Sequence, residues 1–535
     1  MKKINIITIC ILFLLPVSLM ARGNADAYFT RVEKTYTLNE DGSQVMRIIK
    51  RLKINSHKAM NNTYGETFIN YNPEFQTLKI NDTYVIQSNG HKVKPRESAF
   101  VECLPSFAAN AAAFSNLKQM VVVHTGLDLG CTIYIDYTIT TKAGYFPALD
   151  VYELLREKSP VNYMKLSFNV PKNIPLNVYV INEKNYPGLI SRTLSTKNKM
   201  DNGKGQKTIK LTLKNVPAAT HERFATIEGG DIQMIVVNTY QDNKEAIAYA
   251  MKQINNAGKS KVTNVKDAFS IVKIPYVLNA YRLRNMTDVD LSAYATEVEM
   301  ASILKQRFIA KGQNSELIFA YPFINKDKEG KTMILGLAPV KEILIVSENK
   351  NEALGKYSYY TVNGANPIHK YAVDYMTFLG EDHEFKLDEK ENIKYDYKET
   401  FNNDKIAQMR KDSRISGESK YFFIPLKQLV SEKLHIGNLN TKRTNNFLLQ
   451  DPINQKMVFE FNVPDGIKLQ DTDLNIKMNN KVGSLILNAT QEGNIIKVKK
   501  ELNLNSQLIN KKDYRYFRIL MQEWMNPIHS KILCK

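Results

Sequence analysis

Several features that identify common enzyme classes are scarce or missing in this sequence. It has four cysteines among 535 residues, and its eight histidines are dispersed without the spacing of a metal-ligand set. It has neither a glycine-rich phosphate-binding loop nor a Gly-x-Ser-x-Gly nucleophile elbow. Beyond its first residues, no run approaches the roughly 18 apolar residues that a membrane-spanning helix needs. The sequence therefore predicts no metal, no cofactor and no later membrane-spanning segment.

The overall composition is that of a folded protein. Hydrophobic residues make up 43% of the chain and aromatic residues 10%, which excludes general disorder. At roughly 100–200 residues per domain, a chain of this length predicts about three domains, each able to bury its own core.

The N-terminus has the pattern of a secretory signal. Lys2 and Lys3 precede a mostly apolar run over residues 6–20, and the small residue Ala21 follows. We expect a signal peptide over residues 1–21, with an uncleaved N-terminal anchor as the alternative. The mature protein is then exported, to the periplasm or the cell surface of a Gram-negative bacterium.

The net charge limits the class of partner. The formal charge is +19, and removing residues 1–21, which hold two lysines and no acidic residue, leaves +17. An exported protein seldom meets nucleic acid, so anionic glycans, lipid head groups or cell-wall polymers are the expected electrostatic partners. The alternative is a lysine-rich solvated surface without a particular partner.

Three cysteines remain after residue 21, and an oxidising compartment permits at most one disulfide among them. Cys103 and Cys131 flank one short strand-turn region and could pair, whereas Cys534 is the penultimate residue. Three unpaired cysteines are the other interpretation.

The secondary-structure pattern changes twice along the chain. From residue 27 to about 216, short alternating segments and turns such as Asn89-Gly90 predict a β-sandwich. From about 242 the pattern is mixed, with a helix over 296–311 that begins with the capping box of Thr296 and Glu299 and stops at Gly312. From about 374 it is β again, followed by a helix over 512–524.

Segments of the first region resemble a known family. These segments are Tyr71-Asn72-Pro73-Glu74-Phe75, Phe107-Ala108-Ala109-Asn110-Ala111 and Met120-Val121-Val122-Val123-His124-Thr125-Gly126. They are similar to an uncharacterised β-sandwich domain of secreted and periplasmic bacterial proteins, which a transglutaminase-like domain and a second β-domain follow. The resemblance implies a multidomain, mainly β chain: an N-terminal β-sandwich (22–235), a papain-like α+β domain (242–370) and a C-terminal β-sandwich (374–535).

The resemblance also shows what the central domain lacks. The family places a nucleophilic cysteine in Gly-x-Cys-x-Asp/Glu-Lys-Ala at a helix N-terminus, with a histidine and an aspartate on later strands. Here Glu297 stands at the nucleophile position, Glu342 at the histidine position and Thr361 at the aspartate position, after the aromatic pair Tyr359-Tyr360. A carboxylate suits a helix N-terminus but cannot form a thioester. The resemblance thus implies a degenerate domain without a catalytic triad.

We therefore expect a non-catalytic, exported binding or scaffolding protein of the bacterial envelope that holds a peptide or glycan in the former active-site cleft. The candidate cleft residues are Glu297, Glu299, Glu342, Tyr359 and Tyr360. Three alternatives stay open: a cysteine enzyme with a relocated nucleophile such as Cys103 with His124, a hydrolase or cation site built from Glu297, Glu299 and Glu342, and a purely structural envelope protein.

Overall fold

The structure of the chain is a computed structural model. It describes residues 25–108, 117–182, 194–195, 205–219, 222, 224–225, 232–262, 270–272, 283–327, 329–347, 353–354, 377–380, 393–413, 420–426, 439–449, 453–470 and 474–535. Across these ranges, no helix is both long enough and apolar enough to span a membrane. The expected signal peptide lies outside the described residues.

The first region is built from strands. They are β1 (Ala27–Leu38), β2 (Gln44–Ile54), β3 (Glu66–Tyr71), β4 (Gln76–Ile86), β5 (Lys92–Val93), β6 (Phe100–Cys103), β7 (Lys118–Val123), β8 (Thr132–Thr141), β9 (Asp150–Leu154), β10 (Val161–Pro171), β11 (Asn177–Ile181), β12 (Leu194–Ser195), β13 (Gln206–Val216) and β14 (Met234–Asn238). The predicted Asn89-Gly90 turn joins β4 to β5, with Gly90 at a φ of +87° that favours glycine.

One large sheet carries this region. Its order is β12-β13-β10-β1-β2-β8-β4-β5, and only the pair of β1 with β10 is parallel among its described pairs. Alternate residues such as Val32, Leu52 and Leu166 lie on one face and are buried. Two smaller sheets, β11-β14-β9 and β3-β7-β6, pack on that face. The predicted mainly β fold is confirmed.

The central region combines strands and helices. Its elements are α1 (Asn243–Asn256), β15 (Ser270–Val272), α2 (Met286–Ser292), β16 (Tyr294–Thr296), α3 (Glu297–Ala310), β17 (Ser315–Tyr321), β18 (Glu342–Ser347), β19 (Ala353–Leu354) and β20 (Thr377–Leu379). The antiparallel sheet β19-β18-β17-β20 packs against α3, and β15 pairs in parallel with β16. The predicted central α+β region is therefore present.

The first and central regions share strand β14. Ile235 and Val237 pack into the core beneath the large sheet, whereas Met234 and Val236 pack against α1, α3 and β17. All five residues of β14 are buried, as expected of a strand covered on both faces. The predicted boundary between the first two domains therefore falls within one continuous block of packing.

A polar contact holds the same junction. One carboxylate oxygen of Asp150, in β9, accepts the backbone N–H groups of Leu337 at 2.6 Å and Ala338 at 3.1 Å. Gly336 has a φ of +70°, and a Cβ there would lie 2.6 Å from the Asp150 carboxylate. Both the backbone conformation and the close approach of Asp150 thus require glycine at position 336.

The C-terminal region is again mainly β. It holds β21 (Ile393–Thr400), α4 (Asn403–Asp412), β22 (Phe422–Pro425), β23 (Phe447–Leu448), β24 (Asn454–Asn462), β25 (Asn475–Asn479), β26 (Gly483–Glu492), β27 (Ile495–Leu504), β28 (Leu508–Ile509), α5 (Tyr514–Trp524) and β29 (Lys531–Cys534). The main sheet has the order β21-β24-β27-β26-β25, and the predicted terminal helix is α5, whose Phe517, Leu520 and Trp524 join the core.

A short segment between β13 and β14 reaches the C-terminal region. We call residues 222, 224 and 225 the clip. The Glu222 carboxylate accepts the backbone N–H groups of Thr444 at 2.8 Å and Asn445 at 2.9 Å. The Phe224 ring packs against Phe447 at a centroid distance of 4.9 Å. The first region thus contacts both of the others.

Candidate functional site

The N-terminus of α3 is the position at which the resemblance places a nucleophile. Strand β16 runs directly into α3, and Thr296 is the N-cap residue. The Thr296 hydroxyl accepts the Glu299 N–H at 3.2 Å, and the Glu299 carboxylate accepts the Thr296 N–H at 2.9 Å. The predicted capping box is confirmed, and it fixes the start of the helix beside β15.

Glu299 is held by a buried ion pair. Arg284 donates Nε–H to Glu299 Oε1 at 3.0 Å and Nη2–H to Oε2 at 2.8 Å. Their side chains are 7% and 0% exposed, and Arg284 also donates to the Tyr294 carbonyl at 2.8 Å. Glu299 therefore anchors α3, and its carboxylate is already committed to Arg284 and the Thr296 N–H. No sequence motif pointed to Arg284, because its partner lies on a different element.

Glu297 is the first residue of α3 and is partly exposed. Its carboxylate lies at the positive end of the helix dipole, which favours negative charge. Glu342 begins β18, opposite Ala320 of β17, and β18 packs against α3. The structure thus places Glu297 and the Glu342 backbone on neighbouring elements; the Glu342 side chain, Tyr359, Tyr360 and Thr361 lie outside the described residues.

The two cysteines that could have formed a disulfide are free in the structure. Cys103 ends β6, in the small sheet, and its thiol donates to the Gln119 carbonyl at 3.7 Å. Cys131 is fully buried in the core beneath the large sheet, just before β8. Of the two interpretations, the structure therefore has Cys103 and Cys131 unpaired, and the possible bridge between them is corrected.

Cys103 and His124 form no catalytic dyad in the structure. Cys103 lies opposite Gln119 of β7, whereas His124 follows the other end of that strand. Five residues of extended chain span about 17 Å, too far for a hydrogen bond. His124 Nε2 instead lies 2.8 Å from Thr67 Oγ1, and burial lowers the pKa of His124 to about 4. The histidine is a neutral core residue.

Acidic residues do not gather into a metal site in the described part of the chain, where no group of three or more His, Cys, Asp or Glu side chains could hold an ion. The proposed cluster of Glu297, Glu299 and Glu342 loses one member to the Arg284 ion pair. Of Glu297 and Glu299, the two described acidic residues in the first turn of α3, Glu297 is partly exposed and Glu299 is buried.

Comparison with known proteins places two domains in this chain. Residues 40–220 match DUF3857 and residues 420–534 match DUF3858, each a domain of unknown function with a solved structure. No curated protein matches the chain.

Solved structures add a close relative. A Parabacteroides distasonis protein named "putative protease" is 31% identical, with a TM-score of 0.77, over 95% of this chain and 99% of its own. Leukotriene A4 hydrolase of Saccharomyces cerevisiae is 10% identical, with a TM-score of 0.21, over 49% of this chain and 36% of its own. An M1 zinc metallopeptidase of Deinococcus radiodurans is 12% identical, with a TM-score of 0.20, over 39% of this chain and 42% of its own.

The agreement with the Parabacteroides distasonis protein extends over nearly the full length of both chains. The DUF3857 and DUF3858 matches lie on either side of the α+β region that contains α3. The chain therefore belongs to the family of this Parabacteroides distasonis protein, a multidomain family of unknown function.

Proposed function

We propose that this protein is an exported, non-catalytic binding or scaffolding protein of the bacterial envelope, with a transglutaminase-like central domain that has lost its triad. The observation that carries the proposal is the state of the α3 N-terminus. Glu297 stands where the resemblance requires a thiol, and the next acidic residue, Glu299, is buried in an ion pair with Arg284.

The chemistry at this helix end argues against acyl transfer. A cysteine nucleophile depends on the helix dipole and a neighbouring histidine to lower its thiol pKa. Here the amide N–H of Glu299 is taken by Thr296, and the dipole acts on a carboxylate that cannot form a thioester. The sequence positions that correspond to the histidine and aspartate hold Glu342 and Thr361.

The same features suit recognition. Glu297 is partly exposed at the helix end where the resemblance places the cleft, and β18 packs against the same helix. A carboxylate in this position can accept hydrogen bonds from a peptide backbone, a cationic side chain or sugar hydroxyls. An extended peptide or a glycan strand is therefore the proposed ligand class.

The competing function is proteolysis, which the name of the Parabacteroides distasonis relative suggests. As cysteine-dependent proteolysis, it requires a thiol nucleophile elsewhere on this chain. Cys131 and Cys534 are buried, and Cys103 is separated from His124 along β7. These positions support the non-catalytic proposal.

Two measurements on the full chain test the proposal. The first is binding to peptide and oligosaccharide arrays, where we expect Glu297→Gln to weaken the best ligand by roughly tenfold, the loss of about one charge-assisted hydrogen bond. The matched control is Glu329→Gln, which removes the same charge from an exposed turn where Glu329 is 72% exposed. The control should bind like the unaltered protein.

The second measurement is turnover of casein and incorporation of a fluorescent primary amine into casein. We expect neither activity. Turnover that Cys103→Ser abolishes would show an enzyme with a relocated nucleophile and would overturn the proposal. Equal losses of binding in the Glu297 and Glu329 variants would also count against a site at α3.

A further inference from the structure

A second surface, far from α3 in sequence, has the composition of a binding site. Strands β22 and β29 pair antiparallel, and residues 468–470 add a third strand alongside β29. Lys468 and Lys535 exchange backbone hydrogen bonds of 2.9 and 2.8 Å, and Gln470 donates its N–H to Leu533 at 2.9 Å. One side of this ribbon is buried in the C-terminal core, through Phe422, Ile424, Leu469, Ile532 and Cys534.

The other side, which we call the ribbon face, is accessible. Because side chains alternate along strands, the residues between the buried ones point outward. The ribbon face comprises Tyr421, Phe423, Lys468, Gln470, Lys531, Leu533 and Lys535, all of them half-buried or exposed. Three of the seven residues are lysines and none is acidic, which makes this face a concentrated positive patch.

Within the described residues, no Asp or Glu side chain forms an ion pair with a lysine of the ribbon face. Two of them lie over aromatic rings: Lys531 Nζ is 3.7 Å from the Phe423 ring centre, and Lys535 Nζ is 5.1 Å from that of Tyr421. A lysine over an aromatic ring gains a modest cation–π attraction when no anion is near. The ammonium groups are thus available to an external anion.

The register of the ribbon adds an electrostatic cost. Lys468 and Lys535 lie directly opposite each other, and like charges in that arrangement destabilise an antiparallel pair. Ion pairs relieve like-charge repulsion elsewhere on the C-terminal sheet, where Glu501 sits 3.1 Å from Lys499 and 3.5 Å from Lys456. On the ribbon face, a bound anion would lower the repulsion between the lysine side chains.

We infer that the ribbon face binds an acidic polysaccharide. The positive charges fit its carboxylate groups. Once Lys531 and Lys535 pair with those groups, the Phe423 and Tyr421 rings that they lie over, together with Leu533, offer apolar contact to the C–H faces of sugar rings. An anion without an apolar face would use the lysines alone. The combination of rings and lysines on one face therefore favours an acidic glycan over an acidic peptide.

The test is titration calorimetry of the full chain with polygalacturonate, with neutral galactan and polyglutamate as comparison probes at one ionic strength. The variant Lys468→Gln, Lys531→Gln, Lys535→Gln removes three cations from the ribbon face. The control Lys477→Gln, Lys511→Gln, Lys512→Gln removes the same charge from exposed positions of the same region. Circular dichroism confirms that each variant is folded.

We expect polygalacturonate to bind, galactan not to bind, and the ribbon variant to weaken Kd by about tenfold, as the loss of three exposed pairs of roughly 0.5 kcal/mol each implies. The control should change Kd little. Phe423→Ser should weaken the binding of polygalacturonate and leave any binding of polyglutamate unchanged. Equal effects of the two triple variants, binding of polyglutamate as tight as that of polygalacturonate, or no binding of polygalacturonate would each overturn the inference. Glu297→Gln should leave polygalacturonate binding unchanged. A failure of the ribbon-face inference can therefore be distinguished from a failure of the α3 proposal.

Discussion

At the scale of single residues, His124 shows how burial sets a pH response. The residue is 6% exposed, and burial lowers the pKa of its side chain to about 4 from an ordinary value of 6.5. Below pH 6.5 the unfolded chain therefore binds a proton at His124, whereas the folded protein binds this proton only at about pH 4 and below. Stability from this group is full above pH 6.5 and is lost as the pH falls toward 4.

We predict that His124→Gln flattens this dependence. The pKa difference corresponds to about 3 kcal/mol of unfolding free energy lost by the unaltered protein between pH 6.5 and 4. Glutamine does not titrate there and can keep a hydrogen bond to Thr67. Hydrogen exchange of β3 and β7 as a function of pH measures the effect, with His91→Gln on an exposed turn as the control. Identical pH profiles for the His124 variant and the unaltered protein would contradict the prediction.

At the scale of elements, α3 was the part of the molecule most open to prediction from sequence. The expected helix over 296–311 is Glu297–Ala310 with Thr296 as its cap, because capping signals and helical spacing are local. The β14 strand carries a continuous apolar run, a pattern typical of burial on both faces. What local pattern could not provide is Arg284 as the partner of Glu299, because that contact depends on how separate elements pack.

We predict that Glu299→Gln loosens α3 selectively. The change leaves Arg284 buried without a full counter-charge, and breaking such a pair costs about 3–5 kcal/mol. Hydrogen exchange followed by mass spectrometry should show faster exchange in α3 and β16, while the large sheet keeps its protection.

The double variant Arg284→Gln, Glu299→Gln tests whether the two charges act as a pair. It removes both charges, so it should exchange more slowly in α3 than Glu299→Gln does. If the double variant is instead less protected than either single variant, the two side chains contribute independently and the ion pair does not explain the stability of α3.

At the scale of the whole molecule, long-range contacts join regions that the sequence presents as separate domains. β14 belongs to two cores, Asp150 binds the backbone after Gly336, and the clip crosses to the C-terminal region. The mainly β class and the three regions followed from alternation and turn residues. The docking did not, because each contact pairs residues far apart in sequence and none leaves a periodic pattern.

The clip provides the last prediction, at this largest scale. The hydrogen bonds from Thr444 and Asn445 hold the pKa of Glu222 below its usual range against the opposing effect of burial, so the carboxylate is charged in the docked state. Phe224 adopts a φ of 59°, which costs energy for an aromatic residue and is offset by its packing on Phe447.

We therefore expect Glu222→Gln to weaken the contact between the clip and the C-terminal region. Amides 444–448 should exchange roughly tenfold faster, equivalent to one lost charge-assisted hydrogen bond. Glu40→Gln, on the exposed turn after β1, makes the same charge change and should leave these amides as they are. Unchanged exchange in the Glu222 variant would mean that the Phe224–Phe447 contact and the backbone hydrogen bond from Leu448 to Phe224 hold the clip in place without the carboxylate. Phe224→Ser would then be the variant that releases the clip.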